Sequence, residues 1–163
     1  MPLTNPADIL LAHDTWATEH ILDACAGLTN EQLHQRFDMG LGSLHDTLAH
    51  ILGAIRGWTD MLTGREPRAR IEQAGPYTLE QLRALLAEVT AELNAALAAH
   101  PLDDFATAER GGKSYTFPRG GVLTHVTTHG MHHRAQCLNM LRRLGVAEQP
   151  PSSVMQWMLM AND

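Results

Sequence analysis

Ten of the 163 residues are histidine, against only twelve lysines and arginines. Four of the ten fall within nine positions, at His125, His129, His132 and His133. Imidazoles serve as general acids or bases, as metal ligands, or as hydrogen-bonded core groups, and spacing helps to separate these uses. An α-helix advances about 100° per residue, so i and i+4 stack on one face. On that basis His129 and His133 share a face with Val122, Val126, Cys137, Met140 and Leu144. His125 and His132 fall on its polar edge, towards Gln136, Asn139 and Arg143, where they are expected to be solvated or supporting groups. Two stacked imidazoles can bind one ion. The competing reading is a pair of core histidines, but then every ring nitrogen needs its own partner. His13 and His20 lie with Ile9, Trp16 and Ala24 on another apolar helix face, so they are rival ligands or pocket groups. His34, His45 and His100 are expected at the surface.

His50 has different surroundings. Leu44, Leu48, Ile51, Leu52, Ile55, Trp58 and Leu62 form an apolar stripe, and His50 stands well away from it with Asp46, Ala54, Gly57 and Met61, Gly53 alongside. Glycine inside a helix costs about 1 kcal/mol relative to alanine, so two of them beside His50 ask for a packing or functional reason. A pocket over the imidazole is one. Asp46, one turn before His50, is a candidate general base, a helix cap, or a carboxylate that orients His50 through a ring N–H. His20 is the other candidate base.

The elements that must position these groups are helices. Helix formers recur in long stretches and β-branched alternation is nearly absent, which predicts an all-α class. Helices are expected over about Pro6–Ala26, Ser43–Thr63, Thr78–Ala99 and Gly121–Leu144, with a short one at Ser153–Met160. Thr78-Leu79-Glu80-Gln81 is a capping-box pattern, and Ser43-Leu44-His45-Asp46 resembles one with Asp in place of Glu. Thr29-Asn30-Glu31-Gln32 could start a single turn. Residues 67–76 and 101–120 read as connectors. Four long helices with one long link predict a four-helix bundle, a single domain over residues 1–163.

Composition narrows the function. Net charge is −6 with no basic cluster, which argues against electrostatic binding of nucleic acid. No uncharged apolar run approaches the roughly 18 to 20 residues of a membrane span, and no signal peptide is visible, so a cytoplasmic location is expected. Cys25 and Cys137 form no CxxC and read as reduced thiols, with Cys137 a small core residue. Arg110-Gly111-Gly112-Lys113-Ser114 ends like a P-loop but has Thr107 where the pattern needs glycine. Glu31-x-x-His34 occurs once, whereas a di-iron bundle needs two such pairs.

Thr47-Leu48-Ala49-His50-Ile51 and the stretch His125 to Gln136, ending His133-Arg134-Ala135-Gln136, resemble the LAHI and HxxxHxxHHRGQ segments of the DinB-like (DinB/YfiT-type) metalloproteins. Trp16 and Tyr77-Thr78-Leu79-Glu80-Gln81 fit that family's layout, and the resemblance spans essentially the whole chain. Ala135 stands where the family motif has glycine, a change that suits a helix. The resemblance implies a four-helix bundle of unusual helix order and one divalent ion, zinc or nickel, held by His50, His129 and His133. It further implies a low-molecular-weight thiol as co-substrate, as in relatives that use bacillithiol or mycothiol for transfer or isomerisation.

Three imidazoles leave a tetrahedral ion one open position, the mark of a catalytic site. The leading expectation is a thiol-dependent S-transferase or isomerase acting on an electrophilic small molecule near Gly53, Ala54 and Gly57. Metal-dependent hydrolysis through activated water is the alternative, and a metal-stabilised stress-response binding protein is the non-enzymatic one. A homodimer is expected from the frequency of twofold assemblies.

Overall fold

The computed structural model describes residues 3–160. Four long helices carry the fold: α1 (Pro6–Ala24), α3 (Leu44–Leu62), α5 (Leu79–Ala98) and α6 (Arg119–Arg143). Between them lie α2 (Asn30–His34), α4 (Ile71–Ala74) and a hairpin of β1 (Phe105–Arg110) and β2 (Lys113–Pro118), and α7 (Val154–Met160) follows α6. Both α1 and α3 pack against α5 and α6, so α1 and α3 stand across the bundle from one another. The core between them includes Ile21, Leu22, Leu48, Ile51, Leu52, Ile55, Leu86, Val89, Val126, Met140 and Leu141. Helical formation is therefore driven by burial of these stripes rather than by propensity alone.

The helix starts follow local chemistry. The Thr78 hydroxyl accepts from the Gln81 N–H while the Gln81 side chain accepts from the Thr78 N–H, a complete capping box that opens α5. Thr29 and Gln32 repeat it at α2. At α3 only half of the device forms. Ser43 accepts from the Asp46 N–H, but the Asp46 carboxylate turns away to Arg36 and His45.

Two expectations are corrected. Residues 101–120 are not an irregular link, because residues 105–118 form an antiparallel hairpin in which Arg110 pairs with Lys113. Gly111 and Gly112 both have positive φ, 56° and 73°, which is the backbone of a two-residue type I′ turn. The rejected phosphate-loop match is this turn. Residues 67–76 likewise contain α4, whose Ile71 is fully buried and pins the segment against α3.

Candidate metal centre

α3 supplies His50 and α6 supplies His129 and His133, and the packing of these two helices brings the three rings together. One ring nitrogen from each lies within 4.8 Å of the others, and the Nε2 atoms of His50 and His129 are 3.2 Å apart. His133 is buried, while His50 and His129 are half-buried. His125 and His132 are exposed, as the helix-face reading expected.

Hydrogen bonds fix the direction of two rings. The His50 Nδ1–H donates to Glu72 Oε1 at 2.9 Å, since a carboxylate can only accept, which leaves Nε2 with a bare lone pair. The His133 Nδ1–H donates to Gln136 Oε1 at 2.8 Å, and the Gln136 amide donates to His132 Nε2 at 3.1 Å. Bare Nε2 atoms of His50 and His133 thus face the cluster centre. Nitrogens sharing a tetrahedral ion at 2.0–2.1 Å each stand about 3.3 Å apart, close to the 3.2 Å found between His50 and His129. The donor set fits a divalent ion of the imidazole-binding class.

Electrostatics point the same way. Burial, reinforced by the neighbouring imidazoles His133, His50, His125 and His132, holds the His129 pKa down at about 4. Burial also lowers His133, against the pull of its bond to Gln136. Both therefore stay neutral at physiological pH, the state that can ligate.

Two glycines make room for this arrangement. A Cβ on Gly53 would stand 2.6 Å from Glu72 Oε2, so Gly53 is the space through which Glu72 reaches His50. Gly40, at φ 52°, lets the loop before α3 lie directly over the Gln136 amide. Beside His50 opens a cavity of about 520 Å³ lined by Gly53, Ala54, Gly57, Trp58 and Met61 on α3 and by Glu72 and Arg110 opposite. A Cβ on Gly57 would meet nothing within 4 Å, so that glycine adds open volume.

The remaining sequence candidates are placed elsewhere. Asp46 does not orient His50. Its oxygens bond Arg36 at 2.8 Å and His45 at 3.1 Å, and these partners, with Ser43, hold its carboxyl below the usual range despite partial burial. Glu72, in a segment read only as a connector, takes the role given to Asp46. His45 is buried rather than at the surface: its Nε2 accepts from the Tyr77 N–H at 3.0 Å. His20 Nδ1 donates to the Trp16 carbonyl and its ring lies against Trp16, while His13 Nε2 meets the Ser152 carbonyl. Neither joins the three-histidine group. Cys137, one turn after His133, is fully buried and its thiol is pushed well up by burial.

The family model described as "DinB family" matches residues 3–157. The chain belongs to the DinB family. It is 25% identical over 151 residues to "Protein DinB" of Bacillus subtilis (strain 168), covering 86% of this chain and 87% of that protein. A DinB-like protein of known crystal structure from Bacillus cereus ATCC 10987 shares the fold, with a TM-score of 0.64 at 22% identity over 82% of this chain and 87% of the other. DinB membership and the His50–His129–His133 cluster together fit a metal-binding site. Within the family's HRGQ-like stretch the structure gives each polar residue its own task. Arg134 is buried and donates to Asp14 Oδ1 of α1 at 2.6 Å, Gln136 holds His133, and Ala135 is exposed on the helix surface. Gly130 is bare because a Cβ there would stand 2.6 Å from Asp14 Oδ1.

Proposed function

We propose that this DinB family protein is a divalent-metal-dependent enzyme that joins a low-molecular-weight thiol to an electrophilic small molecule. The observation that carries the reading is a group of three imidazoles one of which, His50, also lines a cavity of about 520 Å³. A structural site would close its coordination shell with a fourth protein ligand, and among the described residues the group is three imidazoles. Bound there, a zinc or nickel ion would supply Lewis-acid activation of a small exogenous ligand at the position the imidazoles leave free.

The chain's own residues divide the remaining work. His50, His129 and His133 hold the ion, and Glu72 and Gln136 fix two of their rings and raise their basicity. Gly57, Ala54, Met61 and Trp58 shape the space for the electrophile. The thiol must come from outside. Both cysteines are buried, and burial pushes the Cys25 thiol up to about 12, so neither can supply a thiolate. Hydrolysis would call for a free general base near His50, yet the carboxylates lining the cavity are engaged, Glu72 by His50 and Asp60 by Arg68.

The test is conjugation of cysteine, glutathione, bacillithiol and mycothiol to monochlorobimane by zinc- or nickel-loaded protein. At least one thiol is expected to react above the metal-free and His133→Ala controls. Cleavage of model esters or amides with no thiol transfer would overturn the proposal.

A further inference from the structure

The cavity beside His50 carries a charge pattern that metal binding does not use. Its wall includes Arg56, Arg68, Arg70 and Arg110 against two carboxylates, Asp60 and Glu72. Arg68 is spent on Asp60 and Glu92, at 2.8 and 2.6 Å, and Arg56 reaches Glu88 at 3.4 Å. Arg70 and Arg110 have no ion-pair partner among the described residues. Arg110 donates one weak bond, 3.3 Å, to the Gly57 carbonyl, which draws its guanidinium over the glycine that opens the cavity. The Nε of Arg56 is also buried without a hydrogen-bond partner. Arg70 is exposed and Arg110 half-buried, so in a chain of net charge −6 this wall presents two guanidiniums free of carboxylates whose N–H donors are open to an anion.

We infer that this cavity binds small molecules through an anionic oxygen group, carboxylate or phosphate, held by Arg110 and Arg70, with the rest of the molecule extending towards His50. The inference rests on the proposal that the substrate occupies this cavity, and it names the class: an anionic electrophile or an anionic thiol. Arg110 comes from the hairpin and Arg70 from the residue that precedes α4, so the anion site is assembled from the two connectors that flank the α3 pocket face. Planar guanidiniums suit either oxyanion through paired N–H donors. Trp58, Met61 and Ala54 line the same cavity with apolar surface, and this favours an aryl or alkyl acid over a bare inorganic anion.

The experiment is isothermal titration of full-length protein, zinc-loaded and metal-free, with benzoate, phenyl phosphate and the neutral isostere benzamide. At least one anion is expected to bind in both metal states, at least tenfold more tightly than benzamide, and more weakly as salt rises. Arg70→Gln and Arg110→Gln should each weaken that binding about tenfold without changing zinc content, whereas Arg143→Gln, far along α6, should not. Because Arg110 also touches the α3 backbone, Arg70→Gln is the decisive variant. Which anion binds tighter identifies the head group. No anion binding at millimolar concentration, equal binding of benzamide, or affinity unaltered by Arg70→Gln would overturn the inference. Binding only to zinc-loaded protein and indifferent to both arginines would place the anion on the metal and overturn it too. Conjugation of neutral monochlorobimane by Arg70→Gln reports separately on the thiol-transfer reading.

Discussion

At the residue scale, two of the three histidines have a hydrogen-bonding group behind the ring, Glu72 behind His50 and Gln136 behind His133. Outer partners of metal-bound histidine commonly contribute 10- to 100-fold in affinity. Glu72→Gln keeps a hydrogen-bonding side chain next to His50 Nδ1 but removes the charge, so zinc affinity, measured by competition with a chromogenic chelator, should fall by about that factor. Unchanged affinity would mean that Glu72 is only a neighbour. Acidification gives a second residue-scale prediction. An unfolded histidine titrates near 6.5, whereas burial holds His129 at about 4 and lowers His133. Between those values the unfolded chain binds protons that the folded site refuses, so stability rises with pH. The urea midpoint of metal-free protein should therefore fall as pH drops from 7 towards 4.5. His129→Gln should flatten that decline, and an identical slope in the variant would contradict the assignment.

At the element scale, α3 contains two glycines that look alike in sequence and behave differently in space. Gly57→Ala should raise thermal stability, by up to about 1 kcal/mol, because its Cβ meets nothing and alanine is the better helix former. Gly53→Ala places its Cβ against the Glu72 carboxylate and should weaken zinc binding whatever it does to the melting temperature. Differential scanning fluorimetry with and without zinc separates the two outcomes, and equal metal-dependent shifts in both variants would refute the distinction. The same element shows what could be read in advance. His129 and His133 were legible because α6 is long and its 3.6-residue period separates them, half-buried and buried, from the exposed His125 and His132. The room around His50 was legible from Gly53, Ala54 and Gly57. Glu72 was not, since α4 spans only Ile71–Ala74, too short for a periodic signal, and its approach to His50 is fixed by tertiary packing. His45 failed for a related reason. Its neighbours one turn on, Leu48 and Ala49, are buried, and the ring is covered by chain outside α3, the stacked His34 ring at 4.4 Å and the Tyr77 N–H. The hairpin had a local signal in Gly111-Gly112, but strands six residues long with mixed composition carry little alternation.

At the scale of the whole molecule, the site depends on how α6 sits against its neighbours. Arg134 joins α6 to α1 through Asp14 and Thr18, with both charged side chains almost fully buried, 4% and 7% exposed. Breaking such a pair from one side strands a buried charge and costs about 3 to 5 kcal/mol. Arg134→Ala should lower the denaturant midpoint by that order, while Arg134→Met with Asp14→Leu should recover most of it. A single variant as stable as the parent would show that the pair is not holding the bundle. Among the described residues no helix is long and apolar enough to cross a membrane.

The central claim is that α3 and α6 together hold one divalent ion. Its most direct test is metal analysis of purified protein by mass spectrometry, for the parent chain and for His129→Ala, with circular dichroism to verify that both are folded. About one zinc or nickel ion per parent chain, lost from a folded His129→Ala, is the predicted result. A variant that retains the parent's metal content would contradict the site, as would a parent chain that takes up neither ion.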